Sequence, residues 1–505
     1  MCVDQNQPKG RLTKPGIVLN CGACADVKPV VAIVMVVLSL FVLEAARSDV
    51  LITRGIIGDT PVTTYAQPDA DGPTVVIAHG FAGSQQMMQG YALPLARAGY
   101  QVYAFDFLGH GRHSVPMSGD VNALDGTTRL LMDQTIGVLD TLPPSGEPVA
   151  LLGHSMATDI LVRVARGRGD SGPLVLISAF SQEITRTFPR DLLLVTGSWE
   201  PGLRNFALEA VQMLAPDAAE GQTIAVDDLR RRAVVGPLTE HVSILHSRAG
   251  RAAAVDWLDR FYDRQSDLRI LPTGTAILGL LIGIVLLFKP IAARLPTQVV
   301  AVPVLTKPQM ALLLLPPAVI TPFIAVPLTP EFLPVLVADY LGLHLLIYGA
   351  LQLALLWVFG VRLGAFNWPA AVLTLLWCAL FGVLLDRYAA NFWPTADRVW
   401  IIAALTLGTV PYMLADTILT AHARIWKRLL IRVTFLASLG LAVWLDFSGL
   451  FFLIMIAPVL VLFYLVFGTL GRWVAAKTGP AAPGLALGLV LAWALGVSFP
   501  LFVGT

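Results

Sequence analysis

The chain has 505 residues, of which 56% are hydrophobic and only 14% charged, with a mean hydropathy of +0.70; an average soluble protein is about one-quarter charged, so a single soluble domain and a disordered chain are both excluded. Lys+Arg number 35 against 34 Asp+Glu, a net charge of +1, which lacks the basic excess of a nucleic-acid binder. Four cysteines exclude a disulfide scaffold, and a membrane protein carrying a soluble part is what remains.

Residues 1–28 form a short basic tail with Lys9, Arg11, Lys14 and Lys28. Its Cys21-Gly22-Ala23-Cys24 has neither the βαβ surroundings of a redox motif nor the two further ligands of a zinc site. Residues 29–46, PVVAIVMVVLSLFVLEAA, are long enough to cross a hydrocarbon core about 30 Å thick. A signal peptide would have a shorter apolar region and a small-residue cleavage site. The only hint of one is weak, near Ala45-Ala46, and the segment reads as an uncleaved anchor.

From 47 to 269 charges of both signs return, and strand-like runs alternate with helix-like ones. TVVIAHGFAGS (74–84) is a buried strand leaving into a Gly-rich turn, followed by the helix QQMMQGYALPLARAG. QVYAFDFLGHGRHS (101–114) is the next strand and loop, and TTRLLMDQTIGVLDTL the next helix. PVALLGHSMATDILVRVARG (148–167) reads strand, sharp turn, helix, and PLVLISAF and DLLLVTGSWE are two more apolar strands. Strands that are continuous Val/Ile/Leu runs are covered on both faces, and their alternation with helices predicts a doubly wound, mostly parallel α/β sheet. Sites in such sheets lie beyond the C-terminal ends of the strands.

Gly153-His154-Ser155-Met156-Ala157 sits on a strand-to-helix turn. Small residues two before and two after the serine, Gly153 and Ala157, let strand and helix approach while the turn raises Ser155 clear of the sheet. The helix N-terminus brings the Met156 N–H to where an oxyanion would form. The arrangement resembles the nucleophile elbow of the α/β-hydrolase family, G-x-S-x-G, with Ala157 replacing the last glycine. His79-Gly80-Phe81 resembles the family's HG-x oxyanion loop, which implies the Phe81 N–H as second donor, supported by His79 and Gly80. Asp106-Phe107-Leu108-Gly109-His110-Gly111 is similar to its D-x-x-G-x-G structural loop. Glu200, three residues after Gly197, matches the position of the triad acid, usually Asp, with Asp227 and Asp191 as fallbacks. His241 matches the position of the base, and the order Ser, acid, His agrees. Its rival His246 precedes Ser247, a helix N-cap candidate, and stands too close to the last helix. His110, His113 and His154 read as structural or rim residues, and His79 as orienting the oxyanion loop.

The resemblance, which covers most of 50–265, implies attack by Ser155 on an acyl carbonyl, with His241 as base and Glu200 fixing its tautomer. It implies no cofactor and no metal. About ten residues, SQEITRTFPR, replace a lid domain, so the site is open or roofed by the membrane or the C-terminal bundle. Phe81, Met87, Met88, Met156 and Trp199 near the mouth suit an acyl chain. They are also ordinary core residue types. The implied partners are an acyl or lipid-like substrate and membrane lipids, with no nucleic acid and no protein partner identified.

Residues 270–505 are apolar again, with eight spans near 272–288, 310–328, 338–359, 367–385, 399–416, 429–446, 449–470 and 483–504. The loop set with Lys289, Arg294, Lys307, Arg362, Arg424, Lys427, Arg428, Arg472 and Lys477 is basic, and the opposite set, with Glu331, Asp386, Arg387, Asp397, Arg398 and Asp446, is not. The positive-inside rule therefore places the N-terminus in the cytoplasm and the 47–269 domain outside. The absence of lysine between Lys28 and Lys289 suggests a GC-rich bacterium, and so a periplasmic domain. Asp339 and His344 lie five residues apart in or at the edge of one span, where ionisable groups are costly and often functional. The leading expectation is a membrane-integrated serine hydrolase of an ester, thioester or amide. An acyltransferase using the same triad, and a transporter or scaffold with an inert hydrolase-like domain, are the alternatives.

Overall fold

A computed structural model describes residues 29–120, 124–266, 268–298 and 304–503. The basic tail and its Cys21/Cys24 pair lie outside the described residues. Helix α1 (Pro29–Arg47) leads into a nine-stranded sheet. Its strands are β1 (Leu51–Ile57), β2 (Thr60–Ala66), β3 (Thr74–Ala78), β4 (Gln101–Phe105), β5 (Ala150–His154), β6 (Leu174–Ile177), β7 (Asp191–Gly197), β8 (Thr223–Val226) and β9 (Leu229–Gly236). The order is β1-β2-β4-β3-β5-β6-β7-β9-β8. The stretch from β4 to β9 is parallel, and antiparallel strands close both edges. The first hairpin turns at Gly58, whose φ of 57° meets the positive φ that tight hairpin turns demand.

The apolar strand runs divide by parity, because successive side chains point to opposite faces. Val75, Ile77, Leu152, Val175, Leu193 and Val195 pack with α2 (Gln89–Arg97) and α6 (Arg248–Phe261). Val76, Ala78, Leu151, Leu174, Leu176, Leu192 and Leu194 pack with α3 (Arg129–Thr141), α4 (Met156–Arg168) and α5 (Pro201–Gln212). Burial on both faces is why these strands carry no polar alternation. Between β6 and β7 the chain runs from 178 to 190 with no helix, so no lid domain intervenes there.

The second unit comprises α7 (Thr273–Ala292), α8 (Lys307–Ala325), α9 (Ala338–Val358), α10 (Trp368–Tyr388), α11 (Ala396–Thr420), α12 (Ile425–Leu445), the single turn α13 (Phe447–Leu450), α14 (Leu453–Thr478) and α15 (Ala481–Ser498). Together with α1, nine described helices are long and apolar enough to cross a membrane, as expected of a multi-pass membrane protein. Two spans differ from the sequence reading. The segment expected at 449–470 is preceded by the single turn α13, which Asp446 caps by accepting from Gly449 N (3.0 Å), so α14 runs from Leu453 to Thr478. The segment expected at 483–504 ends at Ser498. Pro500 disfavours helical backbone at Phe499, and the buried Arg398 caps the helix end by donating to the carbonyls of Gly496 (3.0 Å) and Phe499 (2.6 Å). Residues 499–503 are extended instead and bond to the sheet domain.

Inside the bundle Arg432 pairs with the buried Asp416 at 3.1 Å. Removing one member of such a pair strands the other charge. Asp416→Ala is expected to destabilise by about 3–5 kcal/mol, whereas the double change Asp416→Leu/Arg432→Met restores most of that loss. Thermal unfolding in detergent measures both.

The α/β domain sits on one end of the bundle. Arg47 contacts Gln89, and Arg112 donates to both carboxylate oxygens of Asp386 at 2.7 and 2.8 Å. Asn391 N donates to Ser84 Oγ (3.2 Å), and Arg398 donates to Gly109 O (2.7 Å). The tail is stitched to the 109–117 loop through Leu501 N to Gly109 O (2.9 Å), Met117 N to Leu501 O (3.0 Å) and Val503 N to Met117 O (2.7 Å). These contacts involve the C-terminal ends of α1, α10 and α15 and the N-terminal end of α11. By helix direction, the ends bearing Lys289, Lys307, Arg424 and Lys477 point the opposite way.

Candidate active site

Ser155 closes β5 and opens α4 with φ 51° and ψ −119°. A non-glycine residue with positive φ is strained, and here the strain lifts the side chain off the sheet edge. Gly153 is required by the same turn, since a Cβ there would stand 2.8 Å from Leu161 Cδ1 and 3.2 Å from the Ala157 carbonyl carbon. Ala157 is fully buried in the adjoining core, so its methyl is accommodated. Gly80 is equally constrained. A Cβ on it would come within 2.9 Å of Ser155 Cβ, which sets the 80–83 turn directly against the serine. That turn is held by Gly83 N donating to Gly80 O (3.0 Å).

The imidazole of His241 bridges the serine and the acid. Its Nε2 lies 2.8 Å from Ser155 Oγ and its Nδ1 2.6 Å from Glu200 Oε1. Glu200 follows β7 and precedes α5. Its second oxygen accepts from Gly197 N (2.7 Å) and Ser178 Oγ (2.8 Å). Burial pushes this carboxyl's pKa up, but the hydrogen bonds from His241, Gly197 and Ser178 outweigh it and leave the pKa below the ordinary value, so Glu200 is ionised at neutral pH. The fallback acids stand elsewhere: Asp191 pairs with Arg230 (2.6 Å), and Asp227 occupies the β8–β9 turn. The rival His246 is half-buried, and Ser247 beyond it caps α6 by accepting from Gly250 N (3.3 Å).

Three neighbours hold this trio. His79 accepts from Phe107 N at Nε2 (3.1 Å), which leaves Nδ1 to donate to Gly80 O (2.7 Å). It therefore fixes the 80–83 turn as a neutral ring. His154 Nε2 donates to the carbonyl of His241 (2.8 Å) and so ties the backbone at 241 to the Ser155 turn. Ser178, with φ 50°, orients Glu200. Ser178 carries no signal in the sequence beyond its place at a strand end, and His154 was legible only as structural. Asp106 accepts from Gln85 N (2.8 Å), Gln85 Nε2 (2.9 Å) and Arg112 N (3.0 Å), which makes its loop a structural brace. His110 bonds Leu108 O (2.8 Å) and stacks edge-on against Phe81.

The apolar residues expected near the mouth divide between core and opening. Met88 is fully buried in the α2 core and Met87 packs against it, so neither lines the opening. Phe81 instead meets Phe452 of the bundle, with ring centroids 5.4 Å apart, and Phe502 of the tail at 6.5 Å. The bundle roofs the Phe81 side of the site, while Trp199 stays exposed.

Burial and the neighbouring His241 lower the pKa of His154 to about 4, and burial and Arg251 do the same to His246. In the unfolded chain both titrate near about 6.5. Between these values the unfolded state holds protons that the folded state does not, so stability falls as pH drops from about 6.5 towards 4. The melting temperature of the α/β domain is expected to be lower by more than about 5 °C at pH 4.5 than at pH 7, and the drop to shrink in His246→Gln.

The family model described as serine aminopeptidase, S33, matches residues 70–236. A 93-residue stretch is 36% identical to the protein described as probable oxidoreductase EphD of Mycobacterium tuberculosis (strain ATCC 25618 / H37Rv), covering 18% of this chain and 15% of that one. The chain thus spans a small fraction of the curated relatives it matches. Among solved structures, a predicted CIB-like hydrolase from Thermoplasma acidophilum is 16% identical over 42% of this chain and 99% of its own, with a TM-score of 0.33. A bacterial membrane phospholipase A is 14% identical over 46% and 93%, with a TM-score of 0.32.

Proposed function

We propose, from the premise that the N-terminal domain has the α/β-hydrolase fold, that the protein is a membrane-integrated serine hydrolase of acyl compounds. The observation that carries the reading is the unbroken line from Ser155 Oγ through His241 to Glu200, at 2.8 and 2.6 Å. In this reading His241 takes the hydroxyl proton, Ser155 attacks the carbonyl, and the amides of Phe81 and Met156 hold the oxyanion. His241 then returns the proton to the leaving group, and water releases the acyl enzyme. The ionised Glu200 keeps Nδ1 protonated and stabilises the imidazolium. Ester, thioester and amide carbonyls all fit this chemistry. The location on a membrane bundle favours lipid-like acyl groups.

The basic helix ends opposite the α/β domain favour an N-terminus in the cytoplasm and an extracytoplasmic, periplasm-type location for the hydrolase domain. Domain boundaries at residues 47 and 269 fit this arrangement. A fluorophosphonate probe tests the function: a covalent adduct on Ser155, found by peptide mass spectrometry, is expected in wild type and absent from Ser155→Ala. An unlabelled wild-type protein would leave the inert-domain reading standing. The second reading, acyl transfer, draws on the groove of about 760 Å³ at the end of the bundle, lined by Leu333, Trp400 and Phe502. Phe502 itself touches Phe81. An acceptor alcohol or amine held there would replace water, and product analysis with and without added alcohol separates the two.

A further inference from the structure

The catalytic edge of the sheet has two halves. The loops after β3 and β4 rest on the bundle through Phe81, Ser84, Gly109 and Arg112. Strand order then carries the edge outward through β5 to β6, β7 and β9. The loops ending these last three strands expose large apolar side chains: Phe180 is 51% exposed, Trp199 63%, Leu238 77% and Val242 49%.

This patch is built rather than loose. Thr158 Oγ1 donates to Phe180 O (3.1 Å), Leu238 N donates to Ser198 Oγ (2.9 Å), and Trp199 N donates to Thr239 O (3.0 Å). Leu238 is held at φ 56°, a strained backbone for a bulky residue. Its side chain nevertheless stands in the open, so the strain returns no burial within the chain. Scattered exposed apolar residues need no explanation, but a cluster bordering a site does. On the same side of the molecule, the bundle's rim bears exposed Trp393, Trp400, Phe447 and Phe451, the aromatic composition that marks the headgroup level of a membrane protein. The catalytic edge meets the bundle at that level, through Phe452 just beyond Phe451. The loop after β9 returns to the bundle at His246, beside Gly274 of α7, while Phe180, Trp199, Leu238 and Val242 stay exposed at that same end of the molecule.

We infer that Phe180, Trp199, Leu238 and Val242 dip into the bilayer surface beside the bundle, and that the substrate is an acyl lipid drawn laterally from that leaflet into the site of Ser155. The docking surface stands on its own geometry, and the substrate class rests on the serine-hydrolase reading. Apolar side chains at an interface hold it through buried area, and a seated mouth lets an acyl carbonyl reach Ser155 Oγ without its chain crossing water.

Two measurements on the full chain in phosphatidylcholine nanodiscs test this. Spin labels are placed at Phe180→Cys, at Leu238→Cys and, as a reference at the end of β8 that pairs with the start of β9, away from the catalytic edge, at Val226→Cys, with native cysteines replaced by serine. Labels at 180 and 238 are expected to collide more with oxygen than with aqueous nickel complex, and the label at 226 the reverse. The second measurement compares Phe180→Ser/Leu238→Ser with wild type. Turnover of 4-methylumbelliferyl oleate embedded in the nanodisc is expected to fall about 10-fold, with p-nitrophenyl butyrate hydrolysis changed less than about 2-fold. Nickel-dominated collisions at 180 and 238, the result a soluble protein cover or plain solvent exposure predicts, overturn the docking surface. Equal loss on both esters overturns lateral entry. A protein inactive on every ester overturns the hydrolase reading while the spin-label result still decides the surface.

Discussion

Ser155→Ala is expected to lower kcat by about 10⁵–10⁶, the scale on which loss of a serine nucleophile acts when the rest of its site survives. The loss is large because the neighbours act as a unit. Without Oγ, His241 has no proton to accept, and the strained turn at φ 51° presents only a methyl group. Residual rate above water, about 10³–10⁴, is expected from the oxyanion amides and substrate positioning alone. His241→Ala should cost nearly as much, and the double variant little more than either single one, because each change removes the same step. Folding should be untouched, since neither hydroxyl nor imidazole is packed in the core. Ser155→Gly should even raise the melting temperature, by relieving a positive φ worth about 1–3 kcal/mol. Active-site titration with steady-state kinetics on a soluble ester decides the matter. Activity within tenfold of wild type in Ser155→Ala would falsify the covalent mechanism.

Glu200→Gln is expected to cost about 10⁴ in kcat while leaving the melting temperature nearly unchanged. The carboxylate accepts from three donors: His241 Nδ1, Gly197 N and Ser178 Oγ. An amide of the same shape has one oxygen. Either its NH₂ faces the Gly197 N–H, or it faces His241 and forces Nδ1 to be the acceptor. The second arrangement protonates Nε2 and disables the base towards Ser155. Glu200→Asp keeps the charge but withdraws it by one methylene, so an intermediate loss is expected. A Glu200→Gln variant with wild-type kcat would remove this residue from the triad while leaving Ser155 and His241 in place.

Much of this site was legible because its signals are local. An elbow needs small residues at fixed offsets, and Gly153, Ser155 and Ala157 are set by contacts within nine residues, from Gly153 to Leu161. Parallel strands buried on both faces, such as Leu192–Val195, announce themselves as unbroken aliphatic runs. The edges were not legible. β1 is mostly exposed and carries no clean alternation. β9 hides behind Arg230-Arg231-Arg232, three charges in a strand, and each has a distant partner. Arg230 pairs with Asp191 (2.6 Å) and Arg232 with Asp256 (3.2 Å). The buried Arg231 donates to Ala210 O (2.8 Å). Buried charge is acceptable only when it is hydrogen-bonded, and that condition cannot be read before the partners are placed.

By itself the sequence determined the division into an α/β domain and a helical bundle and the strand-to-helix turn at Ser155, because apolar period and short-range sterics reside in neighbouring residues. Only the tertiary structure decided that Ser178 steadies Glu200, that His154 holds the backbone of His241, and that the last span stops at Ser498 so that Phe502 can lie against Phe81. Each of these is a contact between residues 22 to more than 400 positions apart. Such contacts are selected by hydrogen-bond satisfaction and packing in the assembled chain, which leave no periodic trace along it.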